Sequence, residues 1–285
     1  SSHACFHQVC QLLRKRFETT TDLSLSLISL DLSYHGDTAL LNPPLTKDNL
    51  IDFSWHNFAQ DVQTVGIWSK RHYETTGHQR IPFPQKDTLH QPKVTNIGVG
   101  LSCGATSTLW SQLLPSDSSS SLFKHLILLE PILFPATYFN TSPSKFPLAR
   151  GAYRRQDGWP NRSAAIAYFR DKSLFKGCSD AVVADYVDGC LYTPNSNSSE
   201  LKLKCTPFAE GSTFERSFHT LYTDITKEGE SSQLSTALRK LSSIQLVYGE
   251  KSNLAGVFDQ AFQQKMSKHL ARHCPNSDVS VSNIP

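Results

Sequence analysis

Apolar residues along the chain follow two periods, which alternate from one segment to the next. Short runs that are continuously apolar, or that alternate with polar residues, predict β-strands near residues 23–30, 94–99, 123–129, 244–248 and 279–283. Segments with apolar residues three and four apart predict helices near residues 8–17, 50–62, 105–114, 159–169, 179–187, 231–241 and 257–274. Because helices separate the strands, we expect a mostly parallel sheet with helices on both faces. The predicted fold class is therefore α/β, with three layers.

The middle of the chain interrupts this alternation. From residue 131 to about residue 241 the pattern changes to short helices and loops. We expect this segment, 131–241, to be a helical lid inserted over the sheet. Residues 1–130 and 242–285 then form the core of a single domain that spans 1–285.

The composition is that of an ordinary soluble globular protein. Hydrophobic residues make up 39% of the 285 positions and charged residues 19%, so neither disorder nor a membrane span is indicated, and the net charge of +3 is spread over the chain. The longest apolar runs have the length of a strand, so no membrane span is predicted. The densest basic cluster, Arg14-Lys15-Arg16, is too short to indicate a nucleic-acid partner.

The seven cysteines are scattered, with no C-x-x-C pair and no spacing typical of metal ligands. This pattern predicts a reducing compartment, and it predicts no metal or other cofactor. The glycosylation sequons at Asn140, Asn161 and Asn197 are then chance matches, because glycosylation requires the secretory route.

The strongest chemical motif is Gly100-Leu-Ser102-Cys-Gly104, a G-x-S-x-G sequence between a predicted strand and a predicted helix. A serine at the tip of such a turn is strained, with a positive φ, and glycines on both sides give clearance to the neighbouring backbone. We therefore expect Ser102 to be a nucleophile whose Oγ faces a pocket under the lid. The alternative is a glycine turn with a structural role only.

Five short motifs, taken together and in this order, resemble the α/β-hydrolase superfamily. They are His3-Ala-Cys-Phe-His7, Asp31-Leu-Ser-Tyr-His-Gly-Asp-Thr38, Gly100-Leu-Ser-Cys-Gly104, Leu129-Glu-Pro131 and Val247-Tyr-Gly-Glu250. The resemblance covers nearly the whole chain. Within the superfamily, the lid segment 153–170 is similar to that of a fungal group, which includes peroxisomal lipase-like hydrolases and the hydrolases of AK- and AF-type host-selective toxin biosynthesis.

The resemblance implies a role for each matching residue. Ser102 takes the position of the nucleophile, and the backbone N–H of Cys103 takes that of one oxyanion donor. Ala4 or Cys5, in the loop that enters the first helix, would supply the second N–H; the alternative is an ordinary polar loop. Each such donor is typically worth about 3 kcal/mol in the transition state.

The catalytic acid has two candidates. Glu130 follows the strand after the nucleophile, where some members of the superfamily place the acid, and it is preferred. Glu250 follows the strand 244–248, but Ser252 stands where the usual G-x-x-D pattern has aspartate. The third outcome is that neither carboxylate is the acid. If Glu130 is the acid, it faces the same cleft as Ser102, with the serine oxygen and the carboxylate roughly 6 to 8 Å apart to admit an imidazole.

The catalytic histidine is the missing part of the pattern. In the superfamily it follows the last strand, and here it would lie just beyond Pro285. His269 and His273 lie on the helix before that strand and His35 lies in an early loop, so we expect none of them to be the base. The absence of the first strands, of an initiator Met and of this histidine predicts a fragment truncated at both ends. The alternative is a natural truncation that is inactive.

The expected function is a serine hydrolase that cleaves an ester or thioester of a hydrophobic acyl compound. The fungal resemblance implies toxin biosynthesis and a peroxisomal location, with the cytoplasm as the alternative. Aromatic residues of the lid either line a site for a lipid-like substrate or form the core of the lid: Phe134, Tyr138, Phe139, Phe146, Tyr153, Trp159 and Phe169. The competing hypothesis is a non-catalytic protein of the same fold that binds a hydrophobic ligand or a partner.

Overall fold

A computed structural model describes the chain at residues 3–20, 25–48, 50, 53–76, 95–114, 122–132, 147–216, 238–250, 260–274 and 278–284. Its contacts divide the chain into two compact units. The helical unit consists of Ser1–Phe53 and Thr141–Arg216, and the sheet unit consists of Ser54–Asn140 and Ser217–Pro285.

Among the described residues three α-helices come first, and helices then separate the strands of the parallel sheet, as the apolar pattern predicts. The helices are α1 (His7–Thr20), α2 (Thr38–Leu41), α3 (Trp55–Thr76), α4 (Cys103–Ser111), α5 (Pro147–Tyr153), α6 (Arg162–Arg170), α7 (Asp180–Cys190), α8 (Pro207–Arg216) and α9 (Gln260–His273). The strands are β1 (Ile97–Leu101), β2 (His125–Leu129), β3 (Gly158–Trp159), β4 (Leu191–Tyr192), β5 (Leu201–Leu203), β6 (Ser243–Gly249) and β7 (Asp278–Ile284). Short 3₁₀ helices cover His3–Phe6 and Ser173–Phe175.

The sheet unit contains a four-stranded parallel sheet in the order β1-β2-β6-β7. Its strands confirm four of the five predicted strands, those near residues 94–99, 123–129, 244–248 and 279–283, and the parallel order is also as expected. In the register, Leu101 of β1 lies opposite Leu129 of β2, and Leu129 lies opposite Val247 of β6. The carboxyl ends of these three strands therefore meet at one edge of the sheet.

Helix α4 packs against β1 and β2, and α3 packs against α4. The approach of α4 is close, because a Cβ on Gly98 of β1 would lie 2.8 Å from the Cγ2 of Thr108. Trp55 and Phe58 of α3 are 1% and 0% exposed, which confirms that they belong to the core. The apolar face of α3 therefore fixes α4, and α4 begins immediately after Ser102.

The helical unit contains α5 to α8 and a small antiparallel sheet in the order β3-β5-β4. The sequence pattern predicts α6 and α7 but neither α5 and α8 nor these strands, which are only two or three residues long. The helix predicted near residues 231–241 lies mostly outside the described residues. Among the described residues of 147–216, no strand joins the parallel sheet. The division of the chain into core and lid stays a prediction.

One expectation about the first fifty residues is wrong, and the helix predicted near residues 8–17 is confirmed as α1. Residues 25–30 form no strand, because a strand needs a hydrogen-bonded neighbour, which an alternating pattern does not supply. Helix α1 has the predicted apolar spacing, but none of its residues is buried, and Leu12 is 69% exposed. No helix in the described part of the chain is both long and apolar enough to cross a membrane.

Candidate active site

Ser102 stands between the end of β1 and the start of α4, with φ 55° and ψ −120°. The positive φ predicted for this residue is confirmed. Its N–H donates a hydrogen bond of 2.8 Å to the carbonyl of Leu129, so the ladder between β1 and β2 continues through the turn. A left-handed backbone at a residue other than glycine is strained, and here the ladder and the helix hold it in place.

The two glycines of the motif have different roles. A Cβ on Gly100 would lie 2.5 Å from the Cα of Ala105 and 2.6 Å from its nitrogen. Only glycine therefore allows the first turn of α4 to approach β1 so closely. A Cβ on Gly104 would meet nothing within 4 Å among the described residues. The expectation that both glycines give clearance to the backbone is thus wrong for Gly104.

Cys103 is the first residue of α4, and the N–H of Thr106 already donates to the carbonyl of Ser102 at 3.2 Å. N–H groups in the first turn of a helix point out along its axis, at the positive end of the helix dipole. The hydroxyl of Thr106 also donates to the carbonyl of Ile132 at 2.9 Å, which ties this turn to the chain beyond β2. The N–H of Cys103 thus lies at a helix end suited to stabilise a negative charge. Its role as an oxyanion donor stays a prediction.

Glu130 follows β2 directly and has φ 45°, so it too has a left-handed backbone. Its N–H donates to the carbonyl of Val247 at 2.8 Å, and its Oε1 accepts a hydrogen bond of 3.2 Å from the N–H of Gly249. The register places Ser102 and Glu130 at adjacent strand ends, and adjacent strands lie about 4.8 Å apart. The sequence indicated the position of Glu130 but not its strained backbone.

Glu250, the other acid candidate, follows β6. Its N–H donates to the carbonyl of Ile284 at 2.8 Å. Since β6 is separated from β1 by β2, Glu250 belongs to a strand end that is roughly 10 Å from that of Ser102, at about 4.8 Å per strand. Of the two strand ends, that of Glu130 is therefore the nearer to Ser102, and the choice of the acid stays a prediction.

The histidines give the site no assigned base. His125 begins β2, where its Nδ1 lies 2.8 Å from the Oγ of Ser243. It is at the opposite end of the strand from Glu130, about 16 Å away at roughly 3.3 Å per residue. His269 and His273 belong to α9, and their exclusion as the base stays a prediction.

Ala4 and Cys5, the candidates for the second oxyanion donor, lie in the 3₁₀ helix His3–Phe6 of the helical unit. The carboxylate of Asp31 holds this segment in place. It accepts one hydrogen bond from the backbone N–H of His3 and another, of 3.0 Å, from the Nδ1 of the His3 ring. It also accepts a hydrogen bond of 2.8 Å from the N–H of Asp37. Burial raises the pKa of Asp31, but these hydrogen bonds outweigh it and leave the pKa below its usual value. The pairing of either N–H with Cys103 stays a prediction.

Ligand atoms of His3, Asp31 and Asp37 lie within 4.8 Å of one another, which is close enough to hold a metal ion. However, the Nζ of Lys204 donates to the Oδ1 of Asp37 at 2.6 Å and to the carbonyl of Gly189 at 2.8 Å. The Lys204 side chain is only 10% exposed, so its charge needs this carboxylate. The geometry therefore favours an ion-pair network over a metal centre.

The lid aromatics that the structure describes serve packing. Trp159 and Phe169 are 3% and 5% exposed and belong to the buried core of the helical unit. The hydroxyl of Tyr153 donates to the carboxylate of Glu215 at 2.8 Å. Four of the residues predicted to line a substrate site lie outside the described residues: Phe134, Tyr138, Phe139 and Phe146. For Trp159 and Phe169 the structural alternative is therefore correct.

No protein-family model matches the sequence, and no curated protein matches it. Solved structures do resemble it. The peroxisomal α/β-hydrolase Lpx1 from Saccharomyces cerevisiae has a TM-score of 0.64 and 17% sequence identity, over 100% of this chain and 67% of that one. E-2-(acetamidomethylene)succinate hydrolase has a TM-score of 0.58 and 16% identity, over 99% of this chain and 79% of that one. This similarity shows the fold, so the chain has the predicted α/β-hydrolase fold.

Proposed function

We propose that this protein is a serine hydrolase that cleaves an ester or thioester of a hydrophobic acyl compound. The observation that carries the proposal is the left-handed backbone of Ser102 between β1 and α4. Strain of this kind costs about 1–3 kcal/mol and persists where the surrounding structure holds it, often at functional sites. The fold adds support, because a nucleophile of an α/β-hydrolase stands on this turn.

In the proposed reaction the Oγ of Ser102 attacks the acyl carbonyl carbon while a histidine takes the serine proton. The N–H of Cys103, with that of Ala4 or Cys5, stabilises the negative charge on the carbonyl oxygen. The alcohol or thiol leaves with the proton from the histidine, and water then releases the acid from the acyl-enzyme. Glu130 orients the imidazole and stabilises its charged form.

The residue at the turn also narrows the substrate class. A serine forms an acyl-enzyme with esters and thioesters, whereas dehalogenases and epoxide hydrolases of this fold need a carboxylate at that position. The name of Lpx1 places that protein in the peroxisome, which makes the peroxisome the first location to test for this chain, before the cytoplasm. Involvement in fungal toxin biosynthesis stays a prediction of the sequence resemblance.

The test of the nucleophile is covalent labelling of the full-length protein with a fluorophosphonate probe. We expect the label on Ser102 and its loss in Ser102→Ala, with the same loss of ester hydrolysis. Ser163→Ala is the matched control, because Ser163 is exposed at the start of α6 and should not affect labelling. Folded protein that takes up no label at Ser102 would instead favour a non-catalytic protein that binds a hydrophobic ligand.

The test of the acid compares Glu130→Gln with Glu250→Gln. The amide oxygen of glutamine can still accept the hydrogen bond from Gly249, so the first variant should fold normally. We expect Glu130→Gln to lower kcat by about 10²- to 10⁴-fold, because the imidazolium loses its support, and Glu250→Gln to change it little. A larger loss in Glu250→Gln would assign the acid to the end of β6.

A further inference from the structure

Two cysteines that are far apart in the sequence meet inside the helical unit. The Sγ atoms of Cys5 and Cys190 lie 3.9 Å apart, although 185 positions separate the residues in the sequence. Both thiols are reduced, Cys5 half-buried and Cys190 buried. Cys190 belongs to the apolar core of the unit, and Cys5 packs against that core. The contact is therefore part of the packed structure.

The elements on both sides of this contact are tied to each other. Asp31 binds the 3₁₀ helix that carries Cys5 through the N–H and the ring of His3. One turn further along, the side-chain amide of Gln8 donates to the carboxylate of Asp185 on α7 at 2.8 Å. These bonds hold the start of the chain against α7 and keep the two sulfurs in contact.

We propose that Cys5 and Cys190 are a redox pair that forms a reversible intramolecular disulfide when a peroxide oxidises the protein. The sulfurs must approach from 3.9 Å to about 2.05 Å, which requires rotation of the side chains and a small shift of the 3₁₀ helix. The exposed part of Cys5 gives the peroxide access to one sulfur, while Cys190 supplies the second from the core.

The proposed chemistry is a two-electron oxidation of two thiols. The thiol of Cys5 loses its proton, its thiolate attacks one oxygen of hydrogen peroxide, and the O–O bond breaks. The products are a sulfenic acid and a hydroxide, which takes up the proton that the thiol released and leaves as the first water. The sulfur of Cys190 then attacks the sulfenic sulfur and expels hydroxide, which takes the proton of the Cys190 thiol and leaves as the second water. A dithiol such as dithiothreitol reverses the reaction by thiol–disulfide exchange.

Peptide mapping can test this pairing without any substrate, so its outcome is independent of the proposed hydrolase activity. Trypsin cleaves after Arg14, Lys176 and Lys202, and the two peptides that result, 1–14 and 177–202, each contain a second cysteine. The experiment therefore uses the Cys10→Ser, Cys178→Ser double variant, which leaves one thiol on each peptide. Cys10 is partly buried and Cys178 is exposed, so neither change should disturb the core.

After treatment with hydrogen peroxide and mapping under non-reducing conditions, we expect one species in which peptide 1–14 is linked to peptide 177–202. Its mass is that of the two peptides less two hydrogen atoms, and dithiothreitol removes it. Adding Cys5→Ser to the double variant should abolish the link, and circular dichroism should show that this triple variant is folded. Failure of the folded double variant to form the link, or a link that survives Cys5→Ser, overturns the proposal.

Discussion

The G-x-S-x-G motif contains two glycines, Gly100 and Gly104, whose surroundings differ, and the difference predicts opposite effects of alanine on stability. In Gly100→Ala the new Cβ would lie 2.5 and 2.6 Å from the Cα and nitrogen of Ala105 and 2.6 Å from the carbonyl oxygen of Gly104. All three atoms belong to the backbone, so no side chain can rotate away. Relief requires α4 to move by about 1 Å, because ordinary carbon contacts need about 3.5 Å or more.

Helix α4 cannot move freely, because Ala105 and Leu109 are completely buried and α3 packs against it. Overpacking typically destabilises a protein by about 1–3 kcal/mol, and a clash with backbone that cannot move should cost at least the upper value of this range. We therefore expect Gly100→Ala to lower the free energy of unfolding by about 3 kcal/mol. In Gly104→Ala the new methyl group meets no atom of the described residues within 4 Å, and in a helix alanine is favoured over glycine by about 0.5–1 kcal/mol.

Urea unfolding followed by tryptophan fluorescence measures the difference, since Trp55 and Trp110 are buried in the sheet unit. A gap of about 3–4 kcal/mol between the variants, at roughly 2–3 kcal/mol per M of urea, separates their midpoints by more than about 1 M. Gly104→Ala should unfold at or above the wild-type midpoint. Equal midpoints for the two variants would refute the reasoning, because they would mean that α4 does not press on β1 at Gly100.

Two further predictions concern charged groups of the helical unit. Arg155→Met should lower the free energy of unfolding, measured in urea, by roughly 2–3 kcal/mol, because it leaves the half-buried carboxylate of Glu210 without its ion-pair partner. Arg162→Met removes an exposed ion pair with Asp188 and should lower it by less than about 1 kcal/mol. Burial lowers the pKa of His35 to about 3. Between pH 6.5 and 3 the unfolded chain therefore binds a proton at His35 that the folded chain does not. The free energy of unfolding consequently decreases as the pH is lowered, by at most about 1.4 kcal/mol per pH unit. His35→Gln should flatten that part of the melting-temperature profile, and an unchanged slope would show that His35 is not the titrating group.

The sequence determined the features that depend on neighbouring residues alone. Apolar runs of strand length placed β1, β2, β6 and β7, because a buried strand shows its pattern within a few positions. The spacing of small residues around Ser102 indicated a strained turn, because the strain comes from the strand and helix on either side of it. Trp55 and Phe58 could be assigned to the core from helical spacing in the same way.

Tertiary structure decided the features that depend on contacts between residues far apart in the sequence. The segment 25–30 has an alternating pattern but forms no strand. A Cβ on Gly104 would meet no described residue within 4 Å, although Gly104 completes the same motif as Gly100. The carboxylate of Glu130 is held by the N–H of Gly249, 119 positions away, and Cys5 meets Cys190 across 185 positions. Local periodicity contains no information about such partners, because they are set by the order of strands in the sheet and by the packing of helices against one another.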